Sequence, residues 1–208
     1  MDAVQAIGKI PVSSYLTDRV DFATFSGHKF HAVRGVGFVY KKAGKKITPL
    51  LTGGGQEKDF RSTTENVAGI ASMAKALRLV TDKEGFSLPK IAKMKKIIFD
   101  ELAKYEDITI FSGEGEDFAP NILTFGIKGV RGEVIVHAFE EHQIYISTTS
   151  ACSSKAGKPA GTLISMGVPT KLAQTAVRIS LDDDNDMGQV EQFLTIFKQV
   201  YAKTQKVR

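Results

Sequence analysis

Phe25-Ser26-Gly27-His28-Lys29, followed seven residues on by Val36-Gly37-Phe38-Val39-Tyr40, is the stretch around which the rest of the chain is read. Residues 36–40 have the β-branched and aromatic content of a strand, and Ala43-Gly44 supplies a turn after it. The tetrapeptide before the strand places a lysine in a Ser/Gly/His loop. A lysine amine bonds a carbonyl carbon only when neutral, so that use requires burial or neighbouring positive charge. Ser26 and His28 are suited to hold an anionic group such as a phosphate. A plain surface turn containing a lysine fits the same four residues.

Outward from this stretch the chain alternates. Residues 51–61 are Gly-rich and polar, which predicts a loop. Residues 65–80 carry Val67, Ile70, Met73, Ala74 and Leu77 at helical spacing. Residues 82–89 predict a connection between two units. A helix is expected over 89–105 with Pro89 at its first position. Strands are expected over 108–111 and 121–125, a helix over 132–141, and a short strand over 144–146. Residues 147–161 predict a Ser/Thr/Gly/Lys loop and 175–181 a strand. A last helix is expected over 187–203, with Asp182 and the acids after it at its start. This alternation predicts an α/β or α+β protein. The chain opens in a patterned segment with no strand or cap before it, so its first half reads as the end of a larger domain.

Three further segments carry candidate chemistry. Gly53-Gly54-Gly55 permits close backbone approach or serves as a flexible linker; no Gly-Lys-Ser/Thr follows it, so it is not a P-loop. Cys152, the one cysteine, lies in Ser150-Ala151-Cys152-Ser153-Ser154 with Lys155 and Lys158 nearby. It reads either as an accessible thiol favoured by positive charge or as an incidental one. Arg178 lies inside the apolar run Val177-Arg178-Ile179, where it needs an ion-pair partner or an anion such as a carboxylate. One Cys and four His (His28, His31, His137, His142) match no zinc spacing, so no metal is expected.

Bulk properties narrow the function classes. The chain has 208 residues, 42% hydrophobic and 25% charged, with net charge +5. No apolar run approaches a membrane span, and the first residues have no basic-then-apolar leader. A single cysteine allows no internal disulfide, as expected of a cytoplasmic protein. The lysines cluster at 41–46 and 90–96 without interleaved aromatics, so neither nucleic acid nor membrane is expected as a partner.

Taken in order, these segments resemble the NifS/IscS-type cysteine desulfurases of the class V aminotransferase family. The resemblance implies a type I fold of enzymes dependent on pyridoxal 5'-phosphate (PLP), an α/β architecture. Residues 1–80 would be the C-terminal part of the large PLP-binding domain and 81–208 the small C-terminal α+β domain. In Asp2-Ala3-Val4-Gln5, it implies that Asp2 pairs with the PLP pyridine nitrogen and Gln5 contacts the ring's phenolic oxygen. In Ser26-Gly27-His28-Lys29, it implies that Lys29 bonds the cofactor and that Ser26 and His28 bind its phosphate. Gly53-Gly54-Gly55-Gln56-Glu57 and Arg61-Ser62-Thr63-Thr64-Glu65-Asn66 resemble the loop that crosses to a partner subunit, where Thr64 reaches the other site's phosphate. Ser150-Ala151-Cys152-Ser153 resembles the loop of the persulfide cysteine, and Arg178 the arginine that binds the substrate carboxylate. Two positions depart from the family pattern: Thr63 where Gly is usual and Val33 where Pro is usual. Family members are also substantially longer, with a preceding part that Met1 follows.

The resemblance implies removal of sulfur from L-cysteine. The products are alanine and a persulfide on Cys152, which a sulfur-acceptor protein then takes for Fe–S cluster assembly or tRNA thiolation. It implies a homodimer. Selenocysteine lyase and aminotransferase are alternatives within the family. A catalytically inactive half-enzyme is the alternative outside it.

Overall fold

The computed structural model describes residues 1–82, 88–115, 117–148 and 161–205. It divides into two compact units, Met1–Phe86 and Ser87–Arg208.

Unit 1 contains α1 (Val12–Tyr15), β1 (Phe22–Ser26), β2 (Gly37–Lys41) and α2 (Val67–Asp82), with 3-10 turns at Gly27–Phe30 and Gln56–Asp59. β1 and β2 pair antiparallel with Phe25 opposite Phe38 and Ser26 opposite Gly37. The Phe25 and Phe38 rings stack at 4.5 Å. On β1's other side Asp2 forms a parallel bridge to Thr24, with Ala3 N donating to Thr24 O and Thr24 N to Met1 O, both 3.1 Å.

Sequence reading missed β1, and it placed β2 one residue early. Val36 O is taken by Gly27 N at 2.9 Å, so Val36 closes the turn rather than opening the strand. The helix expected at 65 begins at Val67 because Asn66 Oδ1 accepts from Gly69 N at 3.0 Å and caps the first turn. Its buried stripe is Gly69, Ala76 and Val80. Val67 and Ile70, on the expected core face, are 72% and 39% exposed. Apolar residues occupy more than one face of α2, and unit 1 covers only one of them.

Unit 2 contains α3 (Leu88–Leu102), β3 (Ile108–Ile110), β4 (Ile122–Ile127), α4 (Gly132–Glu140), β5 (Ser147–Thr148), α5 (Gly161–Ser165), α6 (Thr170–Ala173), β6 (Ala176–Ser180) and α7 (Met187–Gln205). The strands form one antiparallel sheet in the order β3-β4-β6-β5. Alternation turns Leu123 and Phe125 of β4 and Val177 and Ile179 of β6 into the core. There they join Ile91 and Ile98 of α3, Ile135 and Phe139 of α4, and Phe193 and Phe197 of α7. Phe139 and Phe193 stack at 5.1 Å. A smaller cluster, Leu163, Ala173 and Ala176 with Phe111 and Val168, lies around α5 and α6.

Three expectations are corrected here. Residues 144–146 are not a strand, because Ile144 N is already bonded to Phe139 O at 3.1 Å in the turn closing α4. Pairing starts at Ser147, opposite Arg178. The helix expected to reach 105 stops at Leu102. The expected loop 147–161 is strand at its start and helix from Gly161; its residues 149–160 lie outside the described residues.

Candidate active site

The Lys29 turn is built by its neighbours. β1 ends at Ser26, and the chain closes at once into Gly27–Phe30. Gly27 N donates to Val36 O at 2.9 Å and Ala32 N to Gly27 O at 3.0 Å. A Cβ on Gly27 would stand 3.0 Å from both Ala32 Cβ and Val36 O, so this close approach requires glycine. Phe30, 1% exposed, pins the turn to the core. His31 leaves it in the left-handed conformation at φ 71°. His28 and Lys29 are exposed. Ser26 Oγ and His28 Nδ1 are 2.9 Å apart in a hydrogen bond, so the two polar groups flanking Gly27 act together.

Asp2 comes to the same end of the sheet. The bridge to Thr24 is parallel, so Met1–Ala3 run beside β1 in the direction of Ser26, and residues 4–9 form turns. In open sheets, ligands bind beyond the carboxyl ends of parallel strands. Asp2 Oδ1 accepts from Val4 N at 3.0 Å, which orients the carboxylate, while Ala3 and Ala6 are buried. Gln5 between them is exposed. The structure therefore places Asp2 beside β1 two residues before Ser26, places His28 and Lys29 in the turn that follows β1, and places Gln5 in the turn that follows Asp2. Thr64 is exposed and makes no side-chain hydrogen bond among the described residues. Thr63 beside it has φ 153°, a value comfortable for glycine and strained for a β-branched residue.

Arg178 belongs to unit 2. It lies on the interior strand β6, directly opposite Thr124 of β4 and Ser147 of β5. Its neighbours in sequence, Val177 and Ile179, are buried, whereas Arg178 is half-buried. Its Nε is buried and has no hydrogen-bond partner among the described residues. An unmet buried guanidinium donor is costly, and a carboxylate would satisfy it. Thr124 and Ser147 were not foreseen as its neighbours, because strand register sets them and spacing in the sequence does not. Cys152 lies outside the described residues.

Tyr15 was also not foreseen. Its hydroxyl is buried without a partner, and burial raises its pKa above the ordinary tyrosine value. No group of three or more His, Cys, Asp or Glu suited to a metal occurs among the described residues. No helix among them is long and apolar enough to cross a membrane.

Comparison with known proteins gives one result throughout. The model of the aminotransferase class-V family matches residues 1–193. A NifS/IcsS protein homologue from Lactobacillus delbrueckii subsp. bulgaricus is 46% identical over 207 residues, covering 100% of this chain and 54% of that protein. A cysteine desulfurase from Trichormus azollae is 33% identical over 204 residues, covering 98% of this chain and 50% of that one. Among solved structures, a NifS-like protein from Rickettsia africae superposes with a TM-score of 0.81 at 32% identity, over 97% of this chain and 52% of that one. The chain spans about half the length of the curated relatives it matches.

Proposed function

The chain belongs to the aminotransferase class-V family, with the α/β fold of NifS-like PLP-dependent enzymes, and from that premise we propose that it carries the lysine, thiol and carboxylate-binding residues of a cysteine desulfurase. The observation that carries this reading is the turn after β1, where Lys29 directly follows the hydrogen-bonded pair Ser26 and His28.

The residues present fit PLP. The donor set is an amine, a hydroxyl, an imidazole and a carboxylate, with the hydroxyl and imidazole already joined in one hydrogen bond. Lys29 would bond the cofactor, Ser26 and His28 would hold its phosphate, Asp2 its pyridine nitrogen, and Gln5 its phenolic oxygen. Thr64 would serve the phosphate of a second subunit in a homodimer. Bound there, PLP supplies an electron sink for bonds broken at the substrate α- and β-carbons.

The chain's own residues do the rest. Asp2 Oδ keeps a proton on the pyridine nitrogen. Arg178 grips the carboxylate of L-cysteine through its free Nε and orients the amino acid. Lys29 Nζ carries protons to and from the substrate carbons. Cys152 Sγ, as thiolate, attacks the substrate sulfur. An S–S bond forms as the C–S bond breaks, the bonding pair stays with carbon, and protonation there gives alanine. The resulting persulfide passes to a sulfur-acceptor protein. A reducing cytosol, which keeps a lone thiol free, suits this use.

A second reading is a truncated or half-enzyme remnant with little or no turnover; the chain spans about half the length of the relatives it matches. One experiment addresses both. The purified chain is mixed with PLP, reduced with borohydride and digested for mass spectrometry. The desulfurase reading expects a stoichiometric adduct on Lys29, absent in Lys29→Ala. Adducts scattered over many lysines, or none, would discard the cofactor site in this chain. Sulfide release from cysteine then separates an active chain from a silent half.

A further inference from the structure

We propose that the cleft between α3 and the segment after β3 binds a small aromatic carboxylate, with the carboxylate on the buried Lys95 ammonium and the ring against Phe99 and Phe118. The inference lies wholly within unit 2 and does not rest on the desulfurase reading.

One face of α3 supplies the first wall. Ala92, Lys95, Lys96 and Phe99 recur at three- and four-residue spacing, so they line up along a single side of the helix. Glu114, Gly115, Phe118 and Pro120 supply the second wall, and the cleft measures about 210 Å³. Drug-sized ligands occupy roughly 300–1,000 Å³, so this cleft suits a smaller molecule. Packing holds the second wall in shape. A Cβ on Gly113 would lie 2.3 Å from Phe118 Cε2, so the Phe118 ring sits directly against the Gly113 backbone. Lys95 ties both ends of this segment to the helix, donating to Gly113 O at 3.2 Å and Ala119 O at 2.9 Å.

Lys95 is the reason to expect an anion. An ammonium has three N–H donors. Two go to those carbonyls, and the third meets no acceptor among the described residues. Both partners are uncharged, and among the described residues no carboxylate pairs with Lys95. The residue is buried, and a buried cation without a counter-charge is costly. Glu114 acts on it only from a distance, being exposed and paired to Lys96 at 3.2 Å. A ligand carboxylate would take the third donor in a charge-assisted bond. The two carbonyl bonds already fix the ammonium in place, which lowers the ordering cost of binding. A phosphate, with its greater charge, would find Lys96 engaged by Asp100 and Glu114, so a single carboxylate fits better. The remaining lining, Phe99, Phe118, Pro120 and Ala92, is apolar, and its two rings favour an aromatic ligand through offset or edge contacts.

The test titrates the 208-residue chain with benzoate, and with benzamide as its uncharged counterpart, following backbone amide shifts by NMR. Benzoate should bind saturably at about 1 mM or below, and benzamide about tenfold more weakly. The shifts should centre on Ala92, Phe99 and Gly115 and persist in Arg178→Gln, since Arg178 is the other candidate holder of a carboxylate. Lys95→Met should weaken benzoate binding by about tenfold or more, whereas Glu114→Gln, at the exposed rim, should tighten it by about twofold or more. General damage to the fold would not produce those opposite signs. If Lys95→Met does not fold, Ala92→Trp, which fills the cleft from an exposed helix position, should abolish the shifts. The proposal is overturned if neither probe binds, if benzoate and benzamide bind alike, or if the shifts lie around Thr124 and Ser147 and vanish in Arg178→Gln. Benzoate binding indifferent to Lys95→Met, or to Ala92→Trp in its place, would overturn it as well.

Discussion

Lys95 on α3 is 7% exposed and donates to Gly113 O at 3.2 Å and Ala119 O at 2.9 Å. It pins the segment after β3 to the helix. Burial pushes its pKa below the usual lysine value of 10.5, against a smaller upward pull from Glu114. The unfolded chain then binds more protons than the folded one between the depressed value and 10.5, so this residue's share of stability rises with pH across that window. Urea midpoints taken toward pH 10.5 should climb more in the wild-type chain than in Lys95→Met; parallel curves would refute this. Thr63 makes a second prediction at this scale. Relieving its positive φ with Thr63→Gly should raise stability by about 1 kcal/mol, the strain released exceeding the added chain entropy of glycine. The same midpoint measurement reads it. Sequence could flag Thr63 as unusual for its family, but the backbone angle that gives the departure a cost became visible only in the structure.

At the scale of elements, two glycines set how closely strands meet their neighbours. A Cβ on Gly37 would lie 2.4 Å from the carbonyl oxygen of Phe25, and one on Gly126 2.1 Å from Thr175 Oγ1. Gly37→Ala meets backbone and should part β1 from β2. Gly126→Ala meets a hydroxyl already donating to Leu172 O and should cost about 1–3 kcal/mol as overpacking. Hydrogen exchange localises each effect: the first should loosen residues 22–41 and leave unit 2 protected, the second the reverse. The elements themselves were unequally legible. α2 was legible by the helical spacing of its apolar residues, α3 by Pro89 in its first turn and α7 by the acids at its start. β1 was hidden because Thr24 and Phe25 sit in a five-residue strand beside a turn motif that drew attention first. The two-residue β5 exists only through its pairing with β6, which no local pattern encodes.

For the molecule as a whole, the two units differ in how well they are supported. Of the twelve largest fully buried side chains among the described residues, only Phe30 belongs to unit 1. The main cooperative transition should therefore report unit 2. Phe139→Ala, which removes a fully buried ring stacked on Phe193, should cost about 3–5 kcal/mol in that transition. Val80→Ala should leave it nearly unchanged and act on a separate, weaker one. Coincident curves in both variants would show that the units unfold together. The sequence carried the family and the identity of the turn, because both lie in contiguous motifs; it did not carry the surroundings of Arg178, which three separate strands assemble. That assembly bears on how such a protein changes over generations. Arg178 is fixed in an interior strand with a neighbour on either side, so its backbone has little freedom to wander. On the proposal that Arg178 holds a carboxylate, a lineage changing that ligand would be expected to vary Thr124 and Ser147 first, tuning the two shoulders of a guanidinium that itself stays where it is.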